Sequence, residues 1–211
     1  MDLITIFQNW KDADGNVISI DTIPTSSITI YAQWKAITYY VVYNGNSNTA
    51  GSMEKSLHTY DEAKKLTKNA FTRDGYTFKG WATSANGKVE YTNEQSVKNL
   101  SSTQDAEVNI YAYWEVNVYT ITAEANTGSI TNYKTWTKVD ADTATKKRTS
   151  QESFADVPVV SKTGYTFLGW YTATSGGTQV NKDTIPTSNM TIYAIWQAIT
   201  YEVKYNGNGN D

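Results

Sequence analysis

The sequence predicts a mostly β (α+β) protein made of tandem small units, each with one short helix. The first observation is a heptapeptide, Gly-Tyr-Thr-Phe-X-Gly-Trp, that occurs at 75–81 and again at 164–170. The second is a Tyr-Ala-X-Trp motif at 31–34, 111–114 and 193–196. The third is composition, because Thr, Val, Ile and Tyr are abundant and favour strands. Internal repetition of this kind indicates a repeat architecture.

The repeats divide the chain into two complete and two partial units. Residues 21–46 match residues 183–208 closely, so we expect a piece excised from a longer tandem array. Because only Gln197 and Ala198 separate two units, the linkers are short, and we expect an elongated, fairly stiff rod. The predicted parts are the C-terminal half of a repeat (1–35), a complete repeat (36–115), a complete repeat with a longer excursion at 129–150 (116–197), and the first strand of a further, truncated repeat (198–211).

Each complete unit shows the same order of predicted elements. A β-prone strand comes first and ends at an Asn-Gly-Asn turn. Later strands are separated by two-residue hairpin signals such as Asn-Gly and Gly-Gly. In the first complete unit these elements are the strand Ala36–Tyr43, the strand Tyr76–Trp81, the turn Asn86-Gly87 and the strand Val108–Trp114.

A short helix is predicted between the first two of these strands. Thr59 and Glu62 have the spacing of a capping box, which marks a helix N-terminus. Ala63, Leu66 and Ala70 fall near one face of that helix. We therefore expect the helix to open at Thr59.

Charge and composition exclude several functional classes. The net charge is −3, whereas a nucleic-acid footprint is normally basic, so no nucleic-acid partner is expected. The chain contains no Cys, which excludes disulfides, thiolate metal sites and a Cys nucleophile. No stretch approaches the roughly 18 consecutive apolar residues of a membrane span, so no membrane insertion is expected.

Candidate catalytic and metal-binding residues are few. His58 is the only histidine, and we expect it to be a solvated loop residue. Residues 12–16 start like a calcium loop, but the spacing of Gly and Glu does not fit, so a tight hairpin turn is the better interpretation. Asp61 and Glu62 lie at the N-terminus of the predicted helix, where acids favour the helix dipole. No catalytic, metal or cofactor site is predicted, and the chain is not expected to be an enzyme.

With these motifs and its Tyr-Asn-Gly-Asn opening, the chain resembles the Listeria–Bacteroides repeat family, which is similar to the B-repeat of internalin-type surface proteins. The resemblance covers nearly the whole chain. It implies β-grasp-like units, in which one short helix packs across an antiparallel or mixed sheet. It also implies tandem arrays in bacterial cell-surface or secreted proteins, often adhesins, and it implies no catalytic residues. The excursion at 129–150 is longer than the usual unit.

A candidate ligand-binding site lies in that excursion. The recurring tryptophans of the two motifs are interpreted as core residues, because each small unit needs large side chains for its core. The excursion holds aromatic and basic residues that no repeat position claims. A three-residue charge run is also typical of a solvated face, which stays an alternative. The candidate residues are Tyr133, Trp136, Lys146, Lys147 and Arg148.

The predicted function is a non-catalytic stalk or spacer of a bacterial cell-surface, adhesin-like protein, extracellular and either wall-attached or secreted. The alternative is a binding module that contacts a host protein or glycan through unit-specific loops, chiefly 129–150. Neighbouring repeats of the same chain are the expected partners. Because 1–35 lacks a first strand and 198–211 is a free one, a further hypothesis is head-to-tail self-association by strand addition.

Overall fold

The computed structural model describes residues 4–21, 23–206 and 209. Within these residues every regular element is a β-strand. The chain divides into two compact units, Met1–Glu115 and Val116–Asp211. The mostly β character predicted from the sequence is confirmed, because β-branched and aromatic side chains fit a pleated, half-buried surface.

The first unit contains a three-stranded, a four-stranded and a two-stranded sheet. Its strands are β1 (Thr5–Lys11), β2 (Val17–Ile18), β3 (Tyr31–Ala36), β4 (Thr38–Asn44), β5 (Ser56–Thr59), β6 (Lys64–Lys65), β7 (Tyr76–Ala82), β8 (Ser96–Val97) and β9 (Glu107–Val116). The strand orders are β2-β1-β3, β5-β4-β9-β7 and β6-β8. β4 lies parallel to β9 and antiparallel to β5, so the predicted mixed sheet is present.

The core of the four-stranded sheet forms on one face of β4, whose burial alternates along the strand. Tyr39, Val41 and Tyr43 are buried, as expected of a half-buried strand with a period of two. The Trp81 ring is also buried and lies edge-on to the Tyr43 ring, 5.1 Å between centroids. The motif tryptophan Trp81 is therefore a core residue, as predicted.

The second unit repeats this plan with additional strands. Its strands are β10 (Val118–Glu124), β11 (Ser129–Asn132), β12 (Thr137–Lys138), β13 (Thr143–Thr149), β14 (Val159–Ser161), β15 (Tyr165–Tyr171), β16 (Gln179–Val180) and β17 (Met190–Ala198). They form a six-stranded sheet in the order β12-β13-β10-β17-β15-β16 and a two-stranded sheet of β11 and β14. β10 lies parallel to β17, as β4 lies parallel to β9.

The predicted helix at Thr59 is wrong. Thr59 ends β5, Asp61 has a left-handed φ of 64°, and β6 follows. The Asn99 side chain accepts a hydrogen bond from the Asp61 N–H at 2.6 Å, across 38 residues of sequence, and β6 pairs with β8. These tertiary contacts override the local helix propensity. The β-grasp-like arrangement, which requires that helix, is not observed in the described part of the chain.

Small two-stranded sheets contribute to each core where a helix was expected. Val97 of β8 and Leu66, next to β6, are buried in the core of the first unit. Ile130 of β11 and Val160 of β14 are buried in the core of the second unit. Each unit therefore covers part of its main sheet with further β structure.

The Tyr-Ala-X-Trp motif ties the last strand of each complete unit to the end of its first strand. In the first unit, the Trp114 indole N–H donates to the Gly45 carbonyl at 2.9 Å. The Asn46 side-chain amide donates to the Ala112 carbonyl at 3.0 Å. The second unit repeats both hydrogen bonds with Trp196 on Ala125 and Asn126 on Ala194. The motif therefore has a structural role in both units.

The second glycine of the heptapeptide is required by packing in the first unit. Gly80 has a φ of 148°, and a Cβ at this position would lie 2.6 Å from the Tyr91 carbonyl oxygen. Residues with a side chain rarely adopt this backbone conformation. Gly169 has a φ of 139°, but its nearest obstacle is the flexible end of Gln179. Packing against the second glycine of the heptapeptide is therefore less able to yield in the first unit than in the second.

The N-terminal sheet has the same register as the last three strands of the second unit. β1 pairs with β3 through Phe7↔Trp34 and Trp10↔Ala32, with a register shift after Phe7. The second unit has the same shift and the equivalent pairs Phe167↔Trp196 and Trp170↔Ala194. β1 therefore carries a divergent heptapeptide, which sequence comparison overlooked because only its Phe and Trp match.

His58 is buried, so the expectation of a solvated loop residue is wrong. It lies on β5 opposite Tyr39, and the two rings stack with centroids 5.5 Å apart. Its Nε2 lies 3.0 Å from the Ser56 hydroxyl oxygen. Burial, and then the charge of Lys64, lower the pKa of His58 below its ordinary value of 6.5. The neutral imidazole is therefore the form that the folded unit favours.

We expect the first unit to lose stability as pH falls below about 6.5. In that range the unfolded chain binds a proton at His58 more readily than the folded chain, so acid favours unfolding. His58→Gln cannot titrate and should show a smaller difference between urea midpoints at about pH 7.5 and about pH 5.5. The same pH dependence in both proteins would contradict this expectation.

Candidate functional site

The excursion at 129–150 folds largely as a hairpin that extends the main sheet of the second unit. β12 pairs antiparallel with β13 through Thr137↔Thr145 and Lys138↔Ala144. β13 then pairs along its whole length with β10. The position of this hairpin in the sheet gives the candidate residues very different environments.

Trp136 lies in the core of the second unit with only 5% of its surface exposed. Its indole N–H donates to the Asp156 carbonyl at 3.0 Å. Trp136 was expected to lie outside the repeat core, and this expectation is wrong. The second unit builds its larger core partly from residues of the excursion. Trp136 therefore presents no stacking surface to a sugar.

Arg148 is also buried, with 4% of its surface exposed. Its guanidinium donates to the Ser153 carbonyl at 2.6 Å and forms an ion pair with Asp156. The same group lies 5.2 Å from the Phe154 ring centroid and 5.5 Å from that of Trp136. A guanidinium paired in this way connects the loop after β13 to the core, so its contacts are structural.

Asp156 is the shared partner of the buried and half-buried cations. Lys146 forms a second ion pair with Asp156 and donates to the Thr135 hydroxyl at 2.6 Å. Partial burial alone would raise the pKa of Asp156. Hydrogen bonds from Lys146, Thr135 and Arg148, and the charge of Arg148, outweigh burial and hold that pKa well below its ordinary range. The carboxylate is therefore ionised wherever the protein is folded near neutral pH.

The run of three basic residues does not form the predicted exposed cluster. Side chains alternate along β13, so Lys146 and Arg148 turn toward Asp156, whereas Lys147 is exposed. Tyr133 is half-buried, and its hydroxyl donates to the Asp140 carbonyl at 2.5 Å. The structure therefore brings Trp136, Lys146 and Arg148 together at Asp156 and leaves Lys147 exposed, and the role of the five candidate residues in ligand binding stays a prediction.

A shallow groove on this hairpin is the remaining candidate for ligand binding. Its volume is about 470 Å³. Threonine hydroxyl groups and the exposed ammonium group of Lys147 can hydrogen-bond a polar or anionic ligand, but no aromatic ring lines the groove. The lining residues are Thr120, Thr135, Thr137, Thr145, Lys146 and Lys147.

The acidic residues singled out in the sequence serve turns. The Asp12 carboxylate accepts hydrogen bonds from the N–H groups of Asp14 at 3.0 Å and Asn16 at 2.8 Å, in the turn between β1 and β2. The hairpin-turn interpretation of this segment is confirmed. Asp61 accepts from the Asn99 side chain at 2.9 Å and pairs with Lys98. Both carboxylates thus accept hydrogen bonds that hold turns of the fold.

Two further observations concern the described residues only. They contain no group of three or more His, Asp or Glu side chains placed to hold a metal ion. They also contain no helix with the length and apolar character needed to cross a membrane.

Asp156 was missed by the reasoning from sequence. It lies outside the excursion, eight residues after Arg148, in a loop without a motif. The only available signal was an acid following a basic run at short distance. That signal is weak, because most such pairs lie on the surface and contribute little.

The chain is a tandem β-repeat protein. Its sheets share their strand registers, and its motif tryptophans make contacts within their own units. The chain matches the Listeria-Bacteroides repeat domain over residues 39–112 and 119–195. It therefore belongs to that family, and the resemblance inferred from the motifs is confirmed.

Similar proteins are several times longer than this chain. A protein of Evansella cellulosilytica named as a Gly-rich membrane protein is 28% identical over 184 residues, which are 86% of this chain and 20% of the relative. Internalin H of Listeria monocytogenes is 30% identical over 128 residues, which are 58% of this chain and 19% of the internalin. The chain thus spans about a fifth of each of these two relatives.

Proposed function

We propose that this chain is a non-catalytic stalk segment of a bacterial cell-surface protein, in which tandem repeats hold a functional domain away from the cell. The observation that supports this most is the internal use of the repeated motif residues. Trp81 and Trp170 are buried, and Trp114 and Trp196 donate hydrogen bonds within their own units. A motif repeated for ligand recognition would have to leave such rings exposed.

An extracellular location, wall-attached or secreted, is part of the same proposal. One relative carries the name of an internalin, and another is named as a membrane protein. The short junctions also support a spacer. Only Ile37 separates β3 from β4, and only Asn117 separates β9 from β10. A junction of one residue leaves little freedom for bending, and a stiff spacer needs this low flexibility.

Small-angle X-ray scattering of the full chain tests the stalk. A single compact globule of this length would have a radius of gyration of about 17 Å. A stiff spacer should give a clearly larger value, together with a rod-like distance distribution that does not change with ionic strength. A radius of gyration close to the globular value would contradict the proposal.

The second candidate function is a binding module that contacts a host glycan or protein through the excursion. The groove beside Lys147 is the observation that favours it. A glycan array and a screen of host surface proteins with the full chain test this function, with Lys147→Ala as the variant. Saturable binding that Lys147→Ala weakens would support the module, and its absence for every probe would favour the pure spacer.

A further inference from the structure

His58 ends a chain of hydrogen bonds that links three segments of the first unit. The Thr67 backbone N–H, which follows β6, donates to the Tyr43 hydroxyl at 2.8 Å. The Tyr43 hydroxyl oxygen lies 2.8 Å from that of Ser56. The Ser56 hydroxyl oxygen in turn lies 3.0 Å from His58 Nε2. This hydrogen-bond chain therefore joins β4, β5 and the segment after β6.

The backbone donor at one end fixes the direction of the hydrogen-bond chain. A peptide N–H can only donate, so Tyr43 accepts from Thr67 and gives its own hydroxyl hydrogen to Ser56. Ser56 then donates to the imidazole. His58 Nε2 is therefore the acceptor nitrogen, and the neutral ring carries its hydrogen on Nδ1. Nδ1 is buried and has no hydrogen-bond partner in the described part of the chain.

A proton added to this ring conflicts with the hydrogen-bond chain. It would enter at Nε2, where the Ser56 hydroxyl already donates. Ser56 would have to turn its hydrogen toward Tyr43, whose own hydroxyl hydrogen would then lose its acceptor. No carboxylate among the described residues forms an ion pair with His58. The new charge would therefore be buried without a counter-ion, which costs free energy.

The ionisable groups around His58 do not offset such a charge. On β4 they are the phenols of Tyr39, which stacks on the imidazole, and Tyr43. On β6, Lys64 is a further cation and opposes protonation. β8, which pairs with β6, carries no ionisable side chain. Asp61, the nearest acid along the chain, is already ion-paired and hydrogen-bonded elsewhere.

The second unit places a different buried base at the same point of its sheet. His58 lies opposite Tyr39 on the strand beside β4. Arg148 lies opposite the equivalent Tyr119 on the strand beside β10. Both bases are buried, but Arg148 is permanently charged and has its counter-ion in Asp156. Mild acid can therefore change the charge of the base in the first unit and not that in the second.

β5, which carries His58, is the strand that can leave its sheet with the least loss. It is the edge strand in the order β5-β4-β9-β7, and it pairs with β4 over four residues. None of its described side chains belongs to the apolar core of the unit. Its separation therefore breaks only the pairing with β4 and takes no apolar side chain out of the core. Such segments are the ones that open locally while a domain stays folded.

We propose that β5 is an acid-sensitive edge strand, which separates from β4 when His58 takes up a proton while the other strands of both units stay paired. The hydrogen-bond chain holds β5 in place as long as the imidazole can accept from Ser56. Separation uncovers main-chain N–H and C=O groups of β4, with which another β-strand can pair. The acid-induced loss of stability of the first unit is thus located in one strand. The proposal does not depend on the stalk function.

Nuclear magnetic resonance of the ¹⁵N-labelled full chain tests the direction of the hydrogen-bond chain, since His58 is the only histidine. Near neutral pH, the imidazole nitrogen shifts should show a neutral ring with its hydrogen on Nδ1. Tyr43→Phe removes the hydroxyl that orients Ser56 and should raise the population of the other tautomer. Tyr40→Phe, on the opposite face of β4, is the matched control and should keep the wild-type tautomer. A wild-type ring with its hydrogen on Nε2, or the same tautomer populations in all three proteins, overturns the proposal.

Hydrogen exchange followed by mass spectrometry tests the separation of β5. After correction for the chemical exchange rate, peptides that cover β5 should exchange about tenfold faster near pH 5 than near neutral pH, because the proton is taken up more readily in the open form. Peptides that cover β9 and β13 should keep their protection at both pH values. His58→Gln cannot titrate and should show the same protection of β5 at both.

Two results of the exchange measurement overturn the proposal. The first is equal protection of β5 in the wild type at both pH values. The second is a loss of protection near pH 5 that affects β5, β9 and β13 together, because this would report global unfolding rather than separation of one strand.

Discussion

Trp136→Ala lowers the free energy of unfolding of the second unit by about 3–5 kcal/mol, because a large buried ring leaves a cavity that the core cannot fully close. Trp136 packs in the same core as Phe154 and Trp170. The Asp156 carbonyl also loses the indole donor. Urea unfolding of the full chain, followed by near-UV circular dichroism, should show the second-unit transition at a lower urea concentration.

Two variants serve as controls for Trp136→Ala. Trp136→Phe keeps an aromatic ring and loses the hydrogen bond to Asp156, so its effect should be smaller. Lys147→Ala removes an exposed side chain of the same hairpin and should change the free energy of unfolding by less than about 0.5 kcal/mol. A wild-type urea midpoint for Trp136→Ala would contradict its role in the core. A loss of ligand binding in Trp136→Ala would be explained by unfolding of the core. Lys147→Ala is therefore the better test of ligand binding at the groove.

Asp156→Asn is expected to lower the free energy of unfolding by about 3 kcal/mol, because it leaves the Arg148 guanidinium buried without its counter-charge. Lys146 loses its ion pair through the same change. The carboxylate itself is partly exposed, so we place the effect at the lower end of the range for buried pairs. The midpoint of urea unfolding at neutral pH measures this change.

The matched control is Asp183→Asn, which breaks the exposed ion pair between Lys182 and Asp183. Exposed pairs contribute about 0–1 kcal/mol, so this variant should unfold almost like the wild type. Because the pKa of Asp156 is lower in the folded than in the unfolded chain, its contribution is complete above its ordinary value of 3.8 and is lost as pH falls below it. Asp156→Asn should therefore show a shallower acid-induced loss of stability, and an unchanged slope would count against the proposed pairing.

The succession of main strands along the chain and the motif positions followed from the sequence, but the segments that cover the sheets did not. The strands Tyr76–Trp81 and Val108–Trp114 lie inside β7 and β9. The helix at Thr59 failed because Asp61 finds its partner in Asn99 and β6 pairs with β8. Helix propensity is a weak preference that pairing of distant segments readily overrides.

The candidate site shows the same limit. Lys146, Lys147 and Arg148 are adjacent in sequence and looked like one charged patch, but a strand sends neighbouring side chains to opposite sides. Trp136 looked free because no repeat position claimed it, yet the longer unit uses it in its core. His58 is buried by the same alternation on β5. In each case burial depended on strand register, which composition does not reveal.

By itself, the sequence determined the repeat, the family and the mostly β character, because recurring motifs and strand-forming residues are local properties of the chain. It also placed the heptapeptide tryptophans Trp81 and Trp170 in the core, since small units need large apolar side chains. Only the tertiary structure decided which residues of the excursion are buried and what replaces the predicted helix. These features depend on contacts between segments far apart in sequence, such as Asp61 with Asn99 and Trp136 with Asp156.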